Sequence, residues 1–400
     1  MTQEAPPGAL AGVKVVEVGQ LIAGPFCCQL LGDMGADVVK IEPPGAGDPM
    51  RLWGRSDGDG THLTWPVIAR NKRSVTVDLR QGDGQHIARE LLREADILVE
   101  NFRPGTLERW GLGPDELWQA NPGLIIVRVT GYGQSGPYAT RAGYGSIGEA
   151  MGGLRYLTGE PGGAPSRVGV SIGDSLAGTF AALGALAALR ARERTGRGQI
   201  VDSAIYESVL AFMESAVTEW DEIAFQRERS GSILPGVAPS NVYPTADGQD
   251  ILIAANQDTV FKRLAGAMGM AGEVFEGFGT HGARGGRQEE LDELIAKWTV
   301  TQNATDLLAL LHEQGVPAGR VYRAVDMFDD PHFTAREAIV RASDGHGRSF
   351  AMQNVAPKLS GTPGRVRWSG PRLGEHTDEV LQLLGFDADA IERLRQSGAI

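Results

Sequence analysis

The chain has 400 residues, 42% of them hydrophobic and 22% charged, which excludes disorder and supplies a large core. Fifty acidic residues against 38 Lys plus Arg leave a net charge of −12, which argues against a general electrostatic grip on nucleic acid or anionic lipid and leaves room for a local basic pocket. This length exceeds what one core usually serves, so two domains are expected.

The opening MTQEAPPGALAG lacks the basic start and apolar stretch of a secretory signal. Charges are expected to interrupt every apolar run before membrane-spanning length. Cys27 and Cys28 are sequence neighbours and cannot make an ordinary disulfide with each other, so a cytoplasmic protein is expected. Val13 to Val18 (VKVVEV) reads as a buried strand, and Gly24-Pro25 opens a helix running to about Met34, since Pro is favoured just inside a helix start. Strands follow at 36–42, 74–79 and 96–99, with a helix over about 84–94, and a fifth strand at 124–130 (LIIVRVT). Strands separated by helices, with continuous β-branched runs, predict an α/β fold with a Rossmann-like parallel sheet covered on both faces.

A long Ala-rich helix is predicted from about Ser175 to Arg192, then a turn at Thr195–Gly198 and a strand at 199–202. A second long helix is predicted from about Tyr206 to Glu228, with an apolar stripe through Val209, Leu210, Phe212 and Met213. Beyond it the elements shorten: a strand at 250–255, helices at 260–268, 289–297 and 304–314, and a Gly-rich loop over 277–286. A short strand at 349–352 and helices at 377–384 and 388–396 close the chain. The expected organisation is a large domain over 1–228, completed by 335–400, and a smaller α+β domain over 229–334.

Five features bear on function. Gly131 to Gly136 matches the G-x-G-x-x-G spacing after a strand, but Pro137 and the residues after it open no helix to receive a pyrophosphate, so nicotinamide and flavin are not expected. The seven histidines form no pair at metal-ligand spacing, so no metal is expected. Gly173-Asp174-Ser175-Leu176 spells the GDSL of a serine hydrolase group, and Asp329 and His332 complete a candidate triad with Ser175. In that group, however, the block lies near the N-terminus of its domain, whereas here a sheet precedes it. Asp174, at the start of the Ala-rich helix, is an expected N-cap. The positive helix end would also keep its carboxylate ionised and nucleophilic. Basic residues gather at Arg70, Lys72, Arg73, Arg80, Arg103 and Arg109, around strand ends where α/β sheets bind ligands. Arg beside Phe102 and Trp110 would suit an adenine ring and a phosphate.

Taken together, the ordered blocks LAGVKVVEV (10–18), AGP (23–25), GADVVKIEPPGAGD (35–48), NKRSVTVDL (71–79), ADILVENFRPG (95–105), TGRGQIVD (195–202) and LGEHTDEVLQLLG (373–385) resemble the class III CoA-transferases over nearly the whole chain. α-Methylacyl-CoA racemase is a relative of that family. The resemblance implies a CoA-transferase with coenzyme A as substrate, an intertwined homodimer, and Asp174 as nucleophile working through an aspartyl anhydride and an aspartyl-CoA thioester. It also implies CoA contacts at Ile22, Ala23, Val77, Asp78, Leu79, Arg80, Asn101, Phe102, Arg103, Arg109, Arg141, Ala142, Gly143 and Tyr144. Tyr144 stands where the racemases carry a histidine, so the second base of a 2-methylacyl-CoA racemase is missing. The region around Gly236 to Gly248 lacks the four-glycine run of the formyl-CoA transferases, which leaves the acid pair open. By analogy the donor is a dicarboxylic ester such as succinyl-CoA.

Overall fold

The computed structural model describes residues 6–270 and 272–400, which form two compact units. The first holds the chain up to Arg155, then Val168–Phe225 and His332–Ile400; the second holds Tyr156–Arg167 and Gln226–Pro331. The excursion at Tyr156–Arg167 carries no signal that separates it from the flanking sequence of the first unit.

The first unit is built on six strands: β1 (Lys14–Glu17), β2 (Asp37–Glu42), β3 (Lys72–Thr76), β4 (Ile97–Glu100), β5 (Ile125–Thr130) and β6 (Ile200–Ala204). All five pairings are parallel, in the order β3-β2-β1-β4-β5-β6, so the chain reverses direction across the sheet between β1 and β4. Side chains alternate between two buried faces. Val16, Val39, Leu98 and Ile126 point into one cluster, and Val15, Val38, Ile97, Val99, Ile125 and Val127 into the other. Both faces are dry, which is why these strands read as continuous apolar runs.

β3 begins two residues before its expected start and ends at Thr76. Its first residues are charged but neutralised: Lys72 is buried against Glu17, and Arg73 pairs with Asp37 and Glu379. Charge alone therefore misled the boundary.

Helices cover the sheet: α1 (Ala23–Asp33), α2 (Gly82–Arg93), α3 (Gly145–Met151), α4 (Ile172–Thr195) and α5 (Ile205–Leu210). Ala177, Ala181, Ala185 and Ala188 form the buried stripe of α4. Small residues let α4 approach α1 so closely that a methyl group on Gly178 would stand 2.7 Å from the Ala23 carbonyl oxygen. Among the described residues α4 is one helix long and apolar enough, by length and composition, to cross a membrane. That corrects the expectation that charges interrupt every such run; here the alanine stripe packs on α1 and the sheet.

The second long helix predicted from Tyr206 is also corrected. α5 stops at Leu210, Glu214 takes a left-handed φ of 50°, and a separate helix runs over Ala216–Ile223. Met213 turns into the core while Phe212, part of the predicted stripe, is exposed. At the C-terminus, an antiparallel hairpin (Ile339–Ser343 with Ser349–Gln353) and helices Thr377–Leu383 and Ala388–Gln396 return to the first unit. Val380, Leu381, Ile391 and Ile400 join its core.

The second unit has three antiparallel strands, Ser240–Pro244, Asp250–Ala254 and Ala318–Arg320. Its own core includes Tyr243, Ile253, Phe261, Leu264, Leu291 and Leu307. The Gly-rich stretch expected as a loop contains a helix, His281–Gly286, capped by Thr280. The cause is Arg284, which is fully buried and donates to the carbonyls of Ala238, Phe278 and Asn256 while pairing with Asp258.

Candidate active site

Where strand order reverses, the loops leaving neighbouring strand ends diverge and open a crevice. Here the loops after β1, β4 and β5 do so and enclose a cavity of about 210 Å³. Residues 20–23 follow β1, residues 101–104 follow β4, and Gly131 and Tyr132 follow β5. Segment 141–144, Asp174 and Ile205 complete its wall. Of the residues singled out from sequence, the cavity brings together Asp174, Ile22, Ala23, Asn101, Phe102, Arg103 and Arg141 to Tyr144. Val77 to Arg80 and Arg109 do not line it. Asp78 and Arg80 pair with each other beyond β3, and Arg109 donates to Thr106 Oγ1.

Asp174 is not the N-cap. Ser171 holds that position, and Asp174 is the third residue of α4, still within the turn where the helix dipole favours a carboxylate. Its seat is made by Gly145, the first residue of α3: a methyl group there would stand 2.1 Å from Asp174 Oδ2. No residue with a Cβ leaves the carboxylate where it is. α3 gains this proximity through Gly148 and Gly152, where a methyl group would collide with Ile205 and Val209. Beneath lies Glu149, a carboxylate buried to 1% exposure, which accepts from Arg155 Nη2 at 2.9 Å and from the Gly173 N–H at 3.5 Å. Sequence reasoning missed Glu149. Its only signal was an acid set among glycines at 145, 148 and 152.

The basic cluster expected from sequence is mostly structural. Arg70 is buried against Asp33 and Lys72 against Glu17, and Arg73 pairs with Asp37. Arg80 holds the Asp78 carboxyl down to about 2. The cavity keeps two guanidiniums, Arg103 and Arg141, and neither forms an ion pair among the described residues. Arg141 lies over the Tyr138 ring at 3.7 Å, and Phe102 packs edge-on against Trp110 at 5.2 Å. The cavity thus joins one carboxylate to two unpaired cations. That arrangement suits a nucleophile attacking a carbonyl carried on an anionic substrate.

Behind the β1 loop lies a buried ion cluster. Lys40 Nζ reaches Glu17 at 2.7 Å and Asp48 at 2.8 Å, and Lys72 reaches the other oxygen of Glu17 at 2.8 Å. Burial pushes the Glu17 carboxyl up, but Lys40 and Lys72 overcome it and hold the group below its ordinary value. Burial likewise opposes the Lys40 charge, and Glu17, Asp48 and Glu42 together raise its pKa nonetheless.

Two competing motifs resolve differently. No helix starts within 137–144, and the Gly131 backbone instead passes against Gly143, where a methyl group would meet Cα at 2.9 Å. Ser175 Oγ donates to the Ser171 carbonyl in its own helix and is absent from the cavity wall. Among the described residues, no group of three His, Cys, Asp or Glu is placed to hold a metal ion.

The sequence profile of CoA-transferase family III matches residues 10–377. The succinyl-CoA–D-citramalate CoA-transferase of Chloroflexus aurantiacus is 55% identical, covering 100% of both chains. The succinyl-CoA–L-malate CoA-transferase beta subunit of the same organism is 41% identical, with 98% of each chain covered. Among solved structures, a CAIB/BAIF family protein from Brucella suis superposes with a TM-score of 0.83 at 34% identity, over 94% of this chain and 100% of the other.

Proposed function

The chain belongs to CoA-transferase family III and is a CoA-transferase; we propose that it moves CoA from a dicarboxylic ester such as succinyl-CoA to a second dicarboxylic acid, with Asp174 as nucleophile. The observation that carries this reading is the seat of the Asp174 carboxylate on Gly145, inside the switch-point cavity. The dicarboxylic class is supported by the relatives that act on D-citramalate and L-malate.

In the first step an Asp174 oxygen attacks the thioester carbonyl. The oxyanion collapses, CoA leaves as thiolate, and a mixed anhydride remains on Asp174. The thiolate then attacks the aspartyl carbonyl, the donor acid departs as carboxylate, and an aspartyl-CoA thioester is formed. The acceptor carboxylate attacks that thioester to give a second anhydride and thiolate. Attack of the thiolate on the acceptor carbonyl yields the new CoA ester and restores Asp174. Backbone N–H groups at the start of α4 would stabilise the oxyanions. The cavity is much smaller than coenzyme A, so the remainder of the molecule would run along the strand ends. The end of β3 lies two strand spacings, roughly 10 Å, from that of β1, which keeps Val77 to Arg80 within reach.

A homodimer is part of this reading. Leu183, Phe212, Val217, Trp220 and Ile223 are each 59–71% exposed on the first unit, and their burial by a second subunit would be favourable. Sedimentation at nanomolar concentration should show a dimer; a native monomer would refute it. The two free thiols, Cys27 and Cys28, accord with a cytoplasmic setting.

The chemical test is incubation with succinyl-CoA and a panel of dicarboxylic acids, reading the CoA esters by mass spectrometry. Asp174→Asn should abolish exchange and Ser175→Ala should retain most of it. Hydroxylamine trapping should place the mass on the peptide containing Asp174. Exchange surviving in Asp174→Asn would remove the nucleophile assignment.

A further inference from the structure

Asn101 is expected, from the family resemblance, to touch CoA. Its geometry describes another task. Asn101 Oδ1 accepts from the Gln20 N–H at 2.8 Å, and Nδ2 donates to the Gln20 carbonyl at 2.7 Å. The carboxamide thus pairs with both polar groups of one loop residue, as a neighbouring strand would. It sits in a slot between two glycines: a methyl group on Gly19 would meet Oδ1 at 3.1 Å, and one on Gly24 would meet Cγ at 3.4 Å.

The rest of the loop is held in the same way, by side chains from elsewhere. Lys40 Nζ donates to the Gly19 carbonyl at 2.8 Å, and Asp48 Oδ1 accepts from the Leu21 N–H at 3.0 Å. Leu21 has a φ of 65°, a conformation that disfavours a side chain and persists only where its surroundings over-determine it. The loop leads directly into Ile22 and Ala23 on the cavity wall.

We propose that Asn101 is a positioning residue: by pairing with the Gln20 backbone from its slot between Gly19 and Gly24, it fixes the loop that walls the Asp174 cavity. It acts on the reaction through that loop, not by holding CoA. The proposal rests on the transferase reading with Asp174 as nucleophile.

An isosteric replacement separates the two roles. In Asn101→Asp, a protonated carboxyl reproduces the amide pattern, with one oxygen accepting from the Gln20 N–H and an O–H donating to its carbonyl. Ionised, it turns a lone pair toward that carbonyl and breaks the pairing. A hydrogen bond that only the neutral form can make raises the pKa of the new carboxyl. The charged groups around it are Glu100, held by Arg128; Lys40, Asp48 and Glu17 of the buried cluster; and Arg103, Arg141 and Asp174 of the cavity. All are shared with the unsubstituted protein, so the ratio of the two kcat values isolates the new carboxyl.

That ratio should lie within about threefold of unity near pH 5 and fall about 30-fold or more by pH 8, with KM for succinyl-CoA changed less than about threefold. Asn101→Ala, which cannot pair at any pH, should lose kcat by a similar factor without pH dependence. A flat kcat ratio combined with a KM for succinyl-CoA raised tenfold and relieved by salt would overturn the proposal in favour of direct contact with CoA. Asp174→Asn in the same assay reports separately on the nucleophile. If it is inactive while the Asn101→Asp ratio stays flat, only the positioning role falls. If it remains active, the nucleophile reading falls.

Discussion

Gly145 lies directly beneath the carboxylate of Asp174, so that a methyl group on its Cα would stand 2.1 Å from Oδ2 and 2.6 Å from Cγ. Gly145→Ala must therefore displace the carboxylate. Alanine is otherwise favoured over glycine in a helix, and the overpacking should cost about 1–3 kcal/mol. The expected result is a kcat lowered at least about 100-fold, as a displaced reacting group implies, in a protein that still melts cooperatively. Near-normal turnover by Gly145→Ala would show that the carboxylate does not react from this seat.

Arg103 lines the cavity and has no ionic partner among the described residues, so its substitution breaks no ion pair described there. If it binds an anionic group of the CoA ester, Arg103→Ala loses a charge-assisted hydrogen bond of about 1.5–3 kcal/mol. KM for succinyl-CoA should rise roughly tenfold or more, with kcat little changed. Arg103→Lys should recover part of the loss. An unchanged KM for both variants would assign the anion to other groups.

His376 joins the C-terminal segment to β3: its Nδ1 accepts from the Ser74 N–H at 3.2 Å, and its backbone N–H donates to the Ser74 carbonyl at 2.9 Å. Burial lowers its pKa, aided by Arg73 and opposed by Glu375 and Glu379. The folded protein therefore binds this proton less readily than the unfolded chain, whose histidine titrates near 6.5. The contribution of His376 is complete above that value and is lost as pH falls through it toward the lowered folded value. His376→Asn keeps an acceptor but cannot titrate. Urea unfolding at pH 7.5 and 5.5 should show a smaller acid-induced loss in the variant; equal losses would place the sensitivity elsewhere.

Cys27 and Cys28 are fully buried in α1. Burial, reinforced by Glu17, pushes the Cys27 thiol up to about 12, and the same causes raise Cys28. Thiolate is the reactive form, so an aromatic disulfide reagent at pH 8 should find neither thiol in the native protein and both in denaturant. Rapid labelling of the folded protein would contradict this packing.

Sequence by itself determined the parallel sheet, because strands buried on both faces must be apolar at successive positions, as in LIIVRVT at 124–130. It also determined the family, since the ordered blocks recur as a set. It also singled out Asp174 as an N-cap, and only the folded chain shows that α4 begins at Ile172 and that the cap is Ser171. What tertiary structure alone decided are relations between distant residues. Arg70, Lys72 and Arg73 look like a ligand-binding cluster until Asp33, Glu17 and Asp37 are found beside them. Gly145 is one of 55 glycines until Asp174 is seen above it. The Asn101 amide gives no sign in the sequence that it closes on the Gln20 backbone, 81 residues away. Local pattern reports burial and turn chemistry, which depend on neighbours in sequence. Whether a charge or an amide is free to meet a substrate depends on partners tens or hundreds of residues away, and the fold alone brings those into range.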